Sequence, residues 1–240
     1  MSGSPLADVS AEGLRVVSEA GDRGLTVRLV GGTAVAARCP SARRPPLARP
    51  YKDVDVVGRR SERVPLRDLL VELGYEPNEE FNLLQGDERL LFWDKANDRQ
   101  LDVLLDRFEL CHALDLGDRL ELDEVTLTPA DLLLTKLQVW ETNERDLRDA
   151  VALLADCEID LDRVAEVLGS DWGWWRTALE VLGRVEAYAA VLEPEERTHV
   201  EARIAALRDR VEQEPKSLRW KARAKVGERV RWYEEPDENY

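Results

Sequence analysis

Along the first hundred residues the spacing of apolar positions switches between a helical and a strand period several times. Leu6, Val9, Leu14, Val16 and Val17 recur at helical spacing and predict a helix over 6–20, with Gly13 inside it. Gly21-Asp22-Arg23-Gly24 reads as a turn. Val27 and Leu29 then flank a polar Arg28 and run into Gly31-Gly32, the pattern of a strand ending in a tight turn. Thr33–Ala37 suits the first turns of a second helix. Between Cys39 and Pro50, prolines 40, 45, 46 and 50 rule out regular structure over most of the segment. Val54, Val56 and Val57 resume a strand, and Val64–Leu73 is amphipathic and helical up to Gly74. Glu76–Glu80 reads as a loop. Leu90–Trp93 and Leu101–Leu105 bracket the polar run Asp94–Asp98, which predicts two antiparallel strands joined by a turn. Phe108–Leu122 reads as a further strand and loop.

The pattern changes near Val125. Thr128 offers an N-cap, Pro129 fits a first turn, and Asp131 stands three residues after the cap, so a helix is expected from here to Trp140. Further helices are expected over 145–154, 161–168, 172–192 and 194–214. The resulting fold class is α/β (α+β). A small mixed-sheet domain over 8–124 is followed by an all-helical domain over 125–215 and a tail over 216–240.

Composition narrows the function classes. The chain has 240 residues, of which 44% are hydrophobic, enough for a substantial core. A net charge of −15 argues against nonspecific nucleic-acid binding by the whole chain, though not by a local basic patch. Two segments are locally basic. The proline-rich loop carries Arg43, Arg44 and Arg49, which reads either as a solvated surface or as a clamp for a triphosphate or RNA. The tail carries Lys216, Arg219, Lys221, Arg223, Lys225, Arg229 and Arg231 against Glu228, with Trp220, Trp232 and Tyr233 interleaved. It suits either RNA contact or docking onto an acidic surface, and Glu234–Tyr240 reads as an acidic, mobile end. Cys39, Cys111 and Cys157 are scattered and odd in number, which indicates neither a disulfide frame nor a zinc site. His112 and His199 are too few for a histidine-based metal site. With no apolar run of roughly 18 residues and no signal peptide, the expectation is a cytoplasmic, reduced protein without a membrane span.

The candidate chemistry lies between Val27 and Leu105. Glycines at a strand–helix junction let backbone N–H groups approach a phosphate closely; an ordinary turn needing glycine is the plainer reading of Gly31-Gly32. Asp53 and Asp55 are two apart, so in a strand both point to one face. Two adjacent carboxylates repel unless a cation lies between them, and oxygen ligands suit Mg²⁺ completed by substrate phosphates. Asp102 is the single charge in an apolar strand, where a lone carboxylate is costly. If its strand lies beside that of Asp55, it joins the same site.

These residues carry a resemblance. GGTAVAAR, YKDVDVV and LDVLLD together resemble the nucleotidyltransferase superfamily, with its polymerase β-like fold. The superfamily pattern is Gly-Gly or Gly-Ser, then Asp-x-Asp, then a third Asp on a later strand. The GGTA form is similar to the abortive-infection type nucleotidyltransferase toxins of toxin–antitoxin pairs. Tyr51 stands where that group has Ser or Thr. The resemblance implies that Gly31, Gly32 and Thr33 hold the phosphates of an NTP. It implies that Asp53, Asp55 and Asp102 bind one or two Mg²⁺ ions. The segment LLLTKLQVWETNERDLRDAVAL is similar to the region where that group returns a lysine and an Asp-x-x-Asp helix to the nucleotide, here Lys136, Asp146 and Asp149. The implied reaction is nucleotidyl transfer to an RNA or protein hydroxyl with release of pyrophosphate, and an antitoxin-like protein is an implied partner. A small-molecule, antibiotic-type transferase and a non-catalytic nucleotide-binding module remain open alternatives.

Overall fold

The structure is a computed structural model and describes residues 3–235. The expected acidic, mobile end lies outside the described residues from Pro236 onward. The fold is mixed α/β, and the chain forms two compact units. The first comprises the residues up to Arg38, Pro50–Phe108 and Leu114–Thr128. The second comprises Cys39–Arg49, Glu109–Ala113 and the chain from Pro129 onward.

In chain order the sheet unit contains α1 (Val9–Asp22), β1 (Val27–Val30), α2 (Gly31–Arg38), β2 (Val54–Gly58), α3 (Arg63–Glu72), β3 (Glu76–Pro77), α4 (Glu79–Gln85), β4 (Arg89–Asp94) and β5 (Arg99–Leu105). The helix expected from residue 6 begins at Val9 because Asp8 caps it, its carboxylate accepting the Ala11 N–H at 2.7 Å. Gly13 lets α1 lie close on β1: an added Cβ would stand 2.9 Å from a Leu29 methyl. Glu12 on the same helix is fully buried and satisfied by the Tyr75 hydroxyl at 2.5 Å, Arg15 Nε at 2.8 Å and the Leu6 N–H at 2.9 Å.

The five strands lie in the order β1-β2-β5-β4-β3. β1 runs antiparallel to β2, β2 parallel to β5, and β4 antiparallel to both β5 and β3. The β4–β5 hairpin has its expected turn, in which the Asp94 carboxylate accepts from Ala96 N at 3.1 Å and Asn97 N at 3.2 Å. The central strands carry Leu29, Val30, Val54, Val56, Leu101 and Val103, all buried, and α1 and α2 pack on β1 and β2. On the outer edge of β1, Leu29 exchanges hydrogen bonds with Val125 O at 2.9 Å and Leu127 N at 3.1 Å. Two short strands, β6 (Arg107–Glu109) and β7 (Ala113–Asp115), form a separate two-stranded sheet.

Glu76–Glu80 is not a loop: β3 and the first residues of α4 occupy it. Asn78 caps α4 by accepting the Phe81 N–H at 3.1 Å. The helix buries no residue, and Leu83 is 85% exposed. It has no buried apolar face for a periodicity argument to detect.

The helical unit contains α5 (Pro129–Leu137), α6 (Glu144–Asp156), α7 (Leu161–Ser170), α8 (Trp172–Tyr188), α9 (Pro194–Gln213) and α10 (Leu218–Val226). α5 stops at Leu137, short of the Trp140 expected. Leu133, Leu137, Val151, Leu154, Leu168, Val181, Val185, Ile204 and Leu207 form its core. Asp131, buried within α5, is held by Arg163 Nε at 3.0 Å. The Gln138 side chain accepts the N–H groups of Leu110 at 3.0 Å and His112 at 3.2 Å, which secures the Glu109–Ala113 segment. The tail divides its residues. Trp232 packs edge-on against Trp140, with centroids at 5.0 Å, and against Trp172 at 5.9 Å; Trp220 packs against Trp175 at 5.3 Å. Arg219, Lys221, Lys225 and Arg229 stay exposed. Among the described residues no helix is long and apolar enough to cross a membrane.

Candidate functional site

In the sheet unit, three segments converge on Asp55. β2 places it opposite Val30, the last residue of β1, and in parallel register with Asp102 of β5. Partners in register share a sheet face, so the Asp55 and Asp102 side chains are neighbours on one side. Asp53 precedes the first residue of β2 and is exposed, Asp55 is half-buried, and Asp102 is 8% exposed.

Gly31 begins α2 directly against Asp55. Its φ is +68°, a conformation that costs little only without a side chain. A Cβ built there would stand 2.3 Å from Asp55 Oδ2, nearer than any real contact. The absent side chain leaves the start of α2 close to Asp55, at the end of the helix where N–H groups have no intrahelical acceptor. Gly32 is half-buried like Gly31. Thr33 is buried, with its hydroxyl 3.5 Å from the Val30 carbonyl.

Asp102 has a partner that sequence spacing did not reveal. Arg89 Nε donates to Asp102 Oδ1 at 2.7 Å and Oδ2 at 2.9 Å, and Arg89 Nη2 also donates to Oδ2. The register explains the reach: Leu91 of β4 stands opposite Asp102, and Arg89, two residues earlier, is its diagonal neighbour on the same face. The guanidinium lies over the Phe81 ring, 5.6 Å from its centroid. Thus the buried carboxylate is compensated by protein charge. Among the described residues, no three acids, histidines or cysteines are gathered as a ready-made metal centre. The donor set of Asp53, Asp55 and Asp102 is nonetheless all oxygen, the type that suits a hard divalent cation whose shell substrate oxygens complete.

The helical unit holds a second charged cluster. Lys136 on α5 is buried, and its ammonium lies 2.9 Å from Asp149 Oδ2 and 3.1 Å from Asp146 Oδ1, both on α6. Arg49, from the proline-rich segment of the same unit, forks onto Asp149 at 3.1 and 2.8 Å. Burial opposes the Lys136 charge, but Asp149 and Asp146 outweigh it and hold its pKa above the ordinary value. Burial likewise pushes the Asp149 carboxyl up, and Lys136 and Arg49 overcome this to hold it below the usual range. Asp146 and Asp149 share one face of α6, as their spacing predicts, but Asp149 pairs with Arg49, a hundred positions away, rather than only with nearby residues. These mutual pairs account for the burial of Lys136 and Asp149 without an added anion.

His112 is buried in the helical unit, stacked on Trp174 at 5.2 Å and 2.9 Å from the Thr177 hydroxyl. Burial pushes its pKa down to about 4.

No protein-family model matches the chain, and no curated protein matches it. Among solved structures, the chain is similar to the solution structure of the antibiotic-resistance factor ANT(2'')-Ia, at 15% identity and a TM-score of 0.40, over 90% of this chain and 95% of that one.

Proposed function

We infer that the sheet unit binds the phosphates of an NTP together with a divalent cation and transfers its nucleotidyl group to an acceptor hydroxyl. The observation that carries the reading is the registered pair Asp55–Asp102, with Asp55 standing against a glycine position that has no room for a side chain. The motif resemblance of GGTA, DVD and LDV supports it. Asp53 and Asp55 would hold the cation, which the resemblance makes Mg²⁺ and which would supply positive charge at the phosphates when bound. Gly31 and Gly32 present backbone N–H groups to phosphate oxygens, with Thr33 fixing the first turn of α2. Asp102 takes the proton of the acceptor hydroxyl. The acceptor oxygen bonds to the α-phosphorus, the bond to the β-phosphate breaks, and pyrophosphate leaves. For Asp102 to serve so, its pair with Arg89 must open, because the guanidinium occupies both carboxylate oxygens. RNA or protein is the acceptor that the resemblance favours, and a small molecule is the alternative. The resemblance also assigns Lys136, Asp146 and Asp149 to the nucleotide, and an antitoxin-like protein to the surface.

A second reading has its own observation. The Arg89–Asp102 pair suits a module that binds nucleotide without turnover, since binding needs no proton acceptor. Incubating the protein with each α-labelled NTP, Mg²⁺, and separate RNA, protein and small-molecule pools separates the two. The transferase reading expects one pool to be labelled with one preferred base, and Asp102→Asn to lose that label while keeping Mg·NTP affinity. Tight binding with no labelled pool for any NTP would favour the module instead.

A further inference from the structure

Cys39 and Cys157 are 118 positions apart in the chain, yet their sulfurs stand 3.6 Å apart within the helical unit. Both are reduced and buried. The scattered spacing suggested no disulfide frame; the fold brings two of the three thiols into contact. Cys39 leads the proline-rich segment, and Cys157 closes the C-terminus of α6, its N–H donating to the Leu153 carbonyl at 3.0 Å. Other contacts fix both backbones. The Ser41 N–H donates to Asp156 at 2.7 Å, Arg148 Nη1 donates to the Ala48 carbonyl at 2.8 Å, and Arg49 forks onto Asp149. A disulfide bond is about 2.05 Å long, so closure needs the sulfurs to approach by roughly 1.5 Å.

We propose that Cys39 and Cys157 form an oxidation site that a small hydroperoxide closes to an intramolecular disulfide, strapping the proline- and arginine-rich segment to the end of α6. Cys157, 7% exposed against 0% for Cys39, reacts first. Its thiolate attacks the peroxide, the O–O bond breaks, and one oxygen stays on sulfur as a sulfenic acid. The other oxygen leaves as hydroxide and takes up the thiol proton as water. The Cys39 sulfur then attacks the Cys157 sulfur, the S–O bond breaks, and a second water leaves. Two thiols and one hydrogen peroxide give one disulfide and two waters, with two electrons passing from the sulfurs to the peroxide oxygens. Cys111 provides the internal contrast. It is buried as well, but its sulfur accepts the Trp140 N–H at 3.5 Å, a backbone partner in place of a second sulfur.

The test treats the folded, full-length protein with stoichiometric hydrogen peroxide, quenches it, denatures it, alkylates the remaining thiols and maps the peptides by mass. The expected product has lost two hydrogens, retains one alkylatable thiol, on Cys111, and yields a linked peptide pair containing Cys39 and Cys157. Its urea midpoint rises above that of the reduced protein and returns on reduction, because the bond constrains the unfolded chain. Cys39→Ser and Cys157→Ser each remove the linked pair. Three alkylatable thiols after treatment, or linkage only when peroxide is added in denaturing urea, would overturn the site. A linked protein whose urea midpoint is unchanged would overturn the strap.

Discussion

A methyl group added at Gly31 would meet Asp55 Oδ2 at 2.3 Å, and the backbone there has a φ of +68°. Gly31→Ala therefore carries two penalties, a strained backbone and a displaced carboxylate. It should cost about 1–3 kcal/mol of stability and weaken Mg·NTP binding, read by urea unfolding and by nucleotide titration; parental values in both would contradict the placement. His112 allows a pH prediction. Its pKa falls from 6.5 to about 4 on folding, chiefly through burial. Between those values the unfolded chain binds more protons than the folded one, so stability is complete above about pH 6.5 and is lost as pH falls toward 4. The loss is on the order of 3 kcal/mol. Urea midpoints at neutral and mildly acid pH should converge in His112→Asn relative to the parent, and an equal pH dependence in both proteins would exclude His112 as the source. Residue types and spacing singled out the glycines and the three aspartates of the sheet unit as candidates. They did not expose Arg89, whose contact with Asp102 depends on a diagonal across two strands, nor Arg49, whose partner Asp149 is a hundred positions away.

Elements were legible where an apolar face or a capping residue announced them. β4 and β5 were readable because two apolar runs flank a polar turn that Asp94 closes with its own side chain. α5 was readable from Thr128-Pro129 and its leucines. α4 was not, since its leucines point to solvent and only Asn78 marks its start. The tail left two readings, and the structure divides them. Its aromatic residues dock on Trp140, Trp172 and Trp175, while five of its basic residues, Arg231 included, are exposed. Trp232 anchors that arrangement, and its indole N–H also reaches the Thr177 hydroxyl at 3.2 Å. Trp232→Ala should release the tail, so trypsin should cut after Lys221, Lys225 and Arg229 several-fold faster, followed by mass spectrometry of the folded protein. An unchanged cutting rate would mean that the tail is held elsewhere.

At the scale of the molecule, a linear reading placed one boundary near residue 124, whereas the chain joins the helical unit in three segments. The segment from Cys39 to Arg49 belongs there because Ser41, Ala48 and Arg49 bind α6, a set of contacts that local composition does not encode. The sheet unit was more legible because β1, β2, β4 and β5 follow from strand patterns and two of its acids, Asp55 and Asp102, stand at strand positions. What the sequence did not contain was the parallel register that sets Asp55 beside Asp102, because two strands and two helices intervene. That register is the basis of the functional account. Calorimetric titration of each NTP, with and without Mg²⁺, into the parent and Asp55→Asn tests it most directly. The account predicts that the parent binds one NTP only with Mg²⁺, and that Asp55→Asn binds it at least about tenfold more weakly, a loss of about 1.4 kcal/mol, at an unchanged urea midpoint. Equal affinity in the two proteins, or binding by the parent that is indifferent to Mg²⁺, would contradict it.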